Sequence, residues 1–237
     1  MEIELCESYE ALSLKASEVV LNELEKKRDL LLCTATGNSP TGTYRLLGEK
    51  FKLHPELFDQ LHVVKLDEWG GIPHMHPGTC ESYLQGHLIR PLEINQSRYT
   101  GFKSDAENPA MECQAIQDYL NRKGPIDLCI LGLGINGHLA FNEPSDDLQA
   151  HCHIARLTSA SMKHSMASEM QVKPTYGLTL GIADILQSKK ILMLITGNEK
   201  RKIVDKFLSE KITTLLPASF LWLHPNVVCL IEKDTME

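Results

Sequence analysis

Residues 126–131 read Ile-Asp-Leu-Cys-Ile-Leu and run directly into Gly132-Leu133-Gly134-Ile135-Asn136-Gly137-His138-Leu139-Ala140-Phe141-Asn142-Glu143-Pro144. The first six are nearly all apolar, the pattern of a parallel strand buried on both faces rather than a half-exposed one. Gly132, Gly134 and Gly137 then allow a sharp turn and a close backbone approach to a ligand. His138 and Glu143 follow within one short segment, near enough for the carboxylate to orient the imidazole. A glycine-rich turn whose histidine only satisfies backbone groups would account for His138 alone. It leaves Asn136, Asn142 and Glu143 around the same turn unexplained, so the segment reads as a catalytic or ligand-binding loop.

Outward from this strand the chain keeps alternating. Further strands are expected at 29–34, 61–66, 191–196 and 227–231. Leu12, Ala16, Val19, Val20 and Leu24 fall at helical spacing between Tyr9 and Lys27, with charges opposite. Other helices are expected near 40–51, 79–89, 109–122, 198–210 and 160–170. Such alternation implies an α/β fold with a mainly parallel sheet. No low-complexity linker or long repeat divides residues 1–237, which are read as one domain.

Composition narrows the function. A net charge of −7 argues against nucleic acid or an anionic membrane as partner, since both need a basic footprint. An anionic small molecule would have to be held by local donors. No run approaches the roughly 18 apolar residues of a membrane span, and the acidic, alternating Met1-Glu2-Ile3-Glu4-Leu5 is unlike a signal peptide. The seven cysteines are odd in number and form no C-x-x-C pair, and Cys33, Cys129 and Cys229 lie in apolar runs. Reduced thiols in a cytoplasmic protein are expected. His74-Met75-His76 and His151-Cys152-His153 each offer two metal ligands but no third and fourth at metal-site spacing, so no metal is expected.

In open α/β sheets, ligands sit beyond the carboxyl ends of the strands. Three further turns in such places carry chemistry. Thr36-Gly37-Asn38-Ser39-Pro40-Thr41-Gly42 precedes a helix whose free amides could bind an anion, joined by the Ser39 and Thr41 hydroxyls. An ordinary helix cap by Asn38 or Ser39 fits it equally. Thr196-Gly197-Asn198-Glu199-Lys200 repeats the Thr-Gly-Asn motif. Lys200 at a helix start opposes the helix dipole, which makes sense if an anion sits between them. A phosphorylated small molecule fits both turns. Finally, Asp67-Glu68-Trp69-Gly70-Gly71 places a carboxylate at a strand end, as a general base or as a turn aspartate capping its own backbone.

Together these turns resemble the glucosamine-6-phosphate deaminase (isomerase) family, including its galactosamine-6-phosphate members. Gly132 to Pro144 matches the G-x-G-x-[DN]-G-H-x-A-F-N-E-P pattern, its most specific part. Thr36 to Pro40, Asp67 to Trp69, His76-Pro77 with Ser82-Tyr83, Thr196 to Lys200 and Leu223-His224-Pro225 spread the likeness along nearly the whole chain. The resemblance implies a Rossmann-like, doubly wound sheet and an aldose–ketose isomerisation coupled to loss of ammonia, with no metal or organic cofactor. It implies that His138 assists ring opening, oriented by Glu143 and Asn136, and that Asp67 moves the C2 proton to C1. Gly37, Asn38, Ser39, Thr41 and Lys200 would hold the sugar phosphate, with Glu68 beside them. The family includes hexamers with an allosteric site and shorter members without one, which leaves a homo-oligomer open.

Three departures shift the expectation. Asn136 stands where the glucosamine enzymes carry aspartate, and Trp69 stands where they carry tyrosine. Their phosphate-binding arginine is missing, with Lys163 or His164 offered in its region. These read as a changed substrate, galactosamine 6-phosphate ahead of glucosamine 6-phosphate. The alternatives are a lactonase of the 6-phosphogluconolactonase type and a sugar-phosphate sensor with an impaired site.

Overall fold

The computed structural model describes residues 1–162, 166 and 170–236. Seven strands form one parallel sheet: β1 (Glu2–Cys6), β2 (Leu31–Thr34), β3 (His62–Lys65), β5 (Tyr99–Thr100), β6 (Leu128–Gly132), β9 (Lys190–Ile195) and β10 (Val227–Glu232). Their spatial order is β1-β10-β9-β6-β2-β3-β5. The chain runs outward from β2 through β3 to β5, then returns to place β6 on the other side of β2. The topological switch point therefore lies between β2 and β6, where an open α/β sheet leaves its ligand crevice.

The strands are apolar on both faces because each face has its own core. Along β6, Leu128 and Ile130 enter one cluster while Cys129 and Leu131 enter the other. Residues of β9 divide the same way, Leu192 and Leu194 against Ile191, Met193 and Ile195. Helices α1 (Tyr9–Lys26) and α2 (Asn38–Leu53) cover the first face through Leu12, Ala16, Val20, Tyr44 and Leu47. Helix α4 (Pro109–Lys123) covers the second through Cys113 and Ile116, joined by the helix Arg201–Leu208 through Ile203, Val204 and Phe207. The expected α/β, Rossmann-like architecture is thus present. Cys33, Cys129 and Cys229 are fully buried, and all seven cysteines are free.

Several elements differ from the sequence expectation. Glu2–Cys6, read only as an alternating acidic start, is the edge strand beside β10. The segment expected as a turn at 67–71 is instead strand β4 (Asp67–Gly70), antiparallel to β8 (Tyr176–Thr179), which pairs in turn with β7 (His153–Ala155). Gly70 permits this because the Tyr176 ring lies where its Cβ would be, 2.0 Å away. The helix expected at 79–89 is α3 (Cys80–Leu84) followed by a wider turn through Gln85–Ile89. Within 160–170, helix α5 (Ser159–Met162) is present, while Lys163 and His164 lie outside the described residues. No described helix is long and apolar enough to cross a membrane.

Three of the four histidines in the two pairs are engaged within the chain, and His74 Nδ1 is buried without a hydrogen bond among the described residues. His76 Nδ1 accepts from Gly78 N, His151 Nδ1 lies 3.1 Å from Asp184, and His153 Nδ1 lies 2.8 Å from the His151 carbonyl. Among the described residues, no group of three or more histidine, cysteine or acidic side chains could hold a metal ion.

Candidate active site

The adjacent strands β9, β6, β2 and β3 carry, at their carboxyl ends, the four turns singled out in the sequence. Distant segments of the chain therefore meet around one cavity of about 730 Å³, a size suited to a small metabolite. Gly37, Asn38, Ser39, Thr41, Asp67, His138 and Lys200 all line it.

Part of the cavity wall carries groups able to hold an anion. Helix α2 starts after Gly37, whose φ of 100° glycine adopts without strain, and among the described residues no side-chain cap bonds the start of the helix. Neither Asn38 nor Ser39 is the cap, so the leading amides stay open toward the cavity. Ser39 Oγ instead lies 2.7 Å from Thr196 Oγ1. That pair carries two hydroxyl protons and spends one on the contact, and the other has no acceptor among the described residues. Gly197 also has a φ of 100° and an uncapped turn after it, so the two Thr-Gly-Asn turns share their hinge. Lys200 faces the cavity without a hydrogen bond or ion pair among the described residues. Burial pushes its ammonium below the usual lysine value, only partly offset by Glu199 and Glu232. A cation so placed gains most from an incoming anion.

Two expectations for this part of the wall are corrected. The Thr41 hydroxyl is not a free donor: it lies 2.9 Å from the Gly37 carbonyl and 2.7 Å from Tyr83 OH. In the second turn Gly197 N points at Glu232, 3.4 Å away, so that amide is not free for an anion.

The same cavity is lined by groups able to transfer protons. Asp67 begins β4 at the cavity wall, and its one side-chain contact among the described residues is the Cys80 thiol, 3.8 Å away. This removes the reading of Asp67 as a turn cap. Burial, reinforced by neighbouring Glu68, raises its carboxyl to about 7 despite the opposing charges of His138 and Lys65. A carboxylate tuned to neutrality can both take and return a proton.

His138 lies across Gly134, where any Cβ would fall 2.4 Å from the imidazole. Its Nδ1 is 3.4 Å from Glu143 Oε2, a distance that makes the pairing more electrostatic than hydrogen-bonded. Glu143 does not reach the cavity. It accepts from Asn136 Nδ2 at 2.8 Å and from the Ser161 hydroxyl. Burial opposes its charge, but His138, Ser161 and Asn136 more than compensate and hold its carboxyl at about 2. Asn136 also stands behind the wall, with Oδ1 accepting from the His138 backbone amide at 3.2 Å. It bonds Glu143 rather than the imidazole, so Glu143 and Asn136 lie behind His138 and not on the cavity wall.

Residues 6–229 match the family of glucosamine-6-phosphate isomerases and 6-phosphogluconolactonases. The chain belongs to this family. It is 44% identical over 226 residues to a protein of Escherichia coli (strain K12) named "Putative deaminase AgaI", covering 95% of this chain and 90% of the relative. It is 31% identical over 236 residues to the glucosamine-6-phosphate deaminase of Clostridium botulinum (strain Loch Maree / Type A3), covering 99% and 97%. A solved structure described as a monomeric glucosamine-6-phosphate deaminase of the NagB superfamily superposes with a TM-score of 0.94 over both full chains, at 31% identity. A Trypanosoma brucei 6-phosphogluconolactonase shares the fold, with a TM-score of 0.79, 21% identity and coverage of 99% and 97%.

Within this family frame, a buried network behind Asp67 is the part that sequence reading missed. Lys65 is fully buried and pairs with Glu68 at 2.7 Å and Glu81 at 2.8 Å, and Tyr99 OH donates to Glu81 at 2.7 Å. Glu68 further accepts from the amides of Trp69, Cys80 and Glu81. Its carboxylate is thus committed inside the protein and does not line the cavity, which corrects its expected place beside the phosphate. Its work is to bind the start of α3 to β4 and so fix Asp67. Lys65 is held charged by Glu68 and Glu81 against the effect of burial, and removing Lys65 would strand two buried carboxylates. No motif marks Glu81 or Tyr99 as partners of Lys65. Trp69 lines the cavity edge-to-face with Phe141, their centroids 4.6 Å apart.

Proposed function

We propose that this chain is a hexosamine-6-phosphate deaminase that converts galactosamine 6-phosphate, in preference to glucosamine 6-phosphate, into a ketohexose 6-phosphate and ammonia. The observation that carries the reading is that one cavity is lined both by Lys200 with the 37–41 turn and by Asp67 and His138. The phosphate is the part of the substrate that does not react, and binding it fixes the sugar carbons against the base.

His138, backed by Glu143, moves the proton between the anomeric hydroxyl and the ring oxygen as the ring opens. Asp67 then takes the C2 proton, giving an enolamine, and returns that proton to C1. The resulting C2 imine adds water and expels ammonia, so hexosamine phosphate and water become ketohexose phosphate and ammonia. The carboxylate ends each cycle in its starting state.

Trp69 and Phe141 support the galacto preference. An axial 4-hydroxyl gathers the hydrogens of C3, C4 and C5 on one face of the sugar, and an aromatic wall covers such an apolar face. Ammonia release from both hexosamine 6-phosphates, run beside 6-phosphogluconolactone hydrolysis, tests the proposal. Faster turnover of galactosamine 6-phosphate supports it, whereas lactone hydrolysis alone establishes the lactonase, and binding without turnover the sensor.

A further inference from the structure

Two phenols from outside the anion-binding turn grip its backbone. Tyr9, the first residue of α1, donates from OH to the Asn38 carbonyl at 2.7 Å and accepts from Gly42 N at 2.7 Å. These are the two groups that close the first turn of α2. Tyr83, from α3, donates to the Gly37 carbonyl at 2.8 Å and shares a 2.7 Å contact with the Thr41 hydroxyl. Thr41 itself reaches the same Gly37 carbonyl. The backbone carbonyls of Gly37 and Asn38 are therefore both held by phenol protons from different helices. Gly42 makes this geometry attainable, because a Cβ there would lie 2.2 Å from Ser13 Oγ and 3.1 Å from the Tyr9 ring. Tyr9 also lines the cavity.

We infer that Tyr9 and Tyr83 form a clamp that holds the Gly37–Gly42 backbone in its anion-binding shape before the phosphate ester arrives. This rests on the assignment of that turn, with Lys200, as the phosphate site. Without the phenols the Asn38 carbonyl loses its side-chain donor and the Gly37 carbonyl keeps only Thr41, so both can turn more readily toward the cavity, where their partial negative charge repels an anion. Ordering them in advance lowers the conformational cost of binding. Because phosphate is remote from the reacting carbons, the clamp acts on binding and leaves the proton transfers untouched. Tyr9 and Tyr83 are positioning residues in this role.

The test uses the intact protein with inorganic phosphate as probe, by calorimetry and by competition against substrate. Tyr9→Phe and Tyr83→Phe remove only a hydroxyl, and each is expected to weaken phosphate binding and raise KM by about three- to tenfold. Turnover at saturation should stay within about twofold, the split that loss of uniform binding produces. Hydrogen exchange at the Gly42 amide supplies a second readout, faster in Tyr9→Phe than in the parent. Phosphate affinity unchanged in both phenylalanine variants but reduced in Lys200→Ala overturns the clamp alone. Affinity unchanged in all three overturns the phosphate site and the clamp with it. A fall in kcat with unchanged phosphate affinity, or unchanged exchange at Gly42, also counts against the clamp.

Discussion

Ser39 and Thr196 share a buried hydroxyl contact of 2.7 Å across 157 residues of sequence. It joins the turn after β2 to the turn after β9, over the end of the intervening β6. The two Thr-Gly-Asn turns of the cavity wall are consequently one unit held from two strands. Its cation, Lys200, and its amides come from different turns.

Removing Lys200 should therefore weaken substrate binding while sparing the chemistry. A charge-assisted contact contributes about 1.5–3 kcal/mol, so Lys200→Ala is expected to raise KM by roughly ten- to a hundredfold. Steady-state kinetics on a hexosamine 6-phosphate check this. An unchanged KM would remove Lys200 from the phosphate site.

Asp67 should set the acidic limb of the pH profile. As a base it must be ionised, and burial has raised its carboxyl to about 7, so kcat/KM should fall as pH drops through about 7. An ordinary aspartate would place that limb near 4. Asp67→Asn should abolish exchange of the C2 hydrogen with solvent, slow turnover by about a hundredfold or more, and leave binding largely intact. Retained C2 exchange in the variant assigns the base elsewhere.

Those expectations show which parts of the site can be read in one dimension. Apolar runs and glycine turns announce strands and their carboxyl ends, because both signals are local, and that sufficed to assemble Asp67, His138 and Lys200 in one cavity. Glu68 was misplaced for the opposite reason. Adjacent residues of a strand face opposite sides, so the neighbour of a cavity-lining aspartate points into the protein. Its partners Lys65, Glu81 and Tyr99 meet only through tertiary packing. Strand β4 was hidden similarly: two glycines end the Asp67 segment and suggest a turn, and only pairing with β8 makes it a strand. Tyr9 and Tyr83 carry no local sign that their hydroxyls reach another helix.

Glu143 links catalysis to stability with a definite sign. Its folded carboxyl, at about 2, lies below its ordinary 4.5, so its ionised form stabilises the native state at neutral pH. That contribution is complete above about 4.5 and is lost as pH falls toward 2. Glu143→Gln should cost up to about 3 kcal/mol at pH 7, with the difference from the parent shrinking below pH 4. Denaturant unfolding across that range measures it. Turnover should also drop by about tenfold or more, because the imidazole loses its orienting charge. A stability difference independent of pH would show that the Glu143 charge is not what matters.

Trp69 should govern the choice at C4. The indole packs edge-to-face on Phe141 and gives the cavity a rigid apolar wall, where glucosamine enzymes are expected to present a phenol. Trp69→Tyr shortens that wall and introduces a hydroxyl able to bond a sugar oxygen. An equatorial 4-hydroxyl gains from such a partner, while the apolar face of the axial epimer loses covering area. Differences of this kind are worth about 1–3 kcal/mol, so the ratio of kcat/KM for galactosamine over glucosamine 6-phosphate should fall by about ten- to a hundredfold. Competition between the two substrates in one reaction reads the ratio directly. A ratio unmoved by the substitution would place C4 recognition on another wall of the cavity, and a parent protein that already favours glucosamine 6-phosphate would sink the galacto assignment.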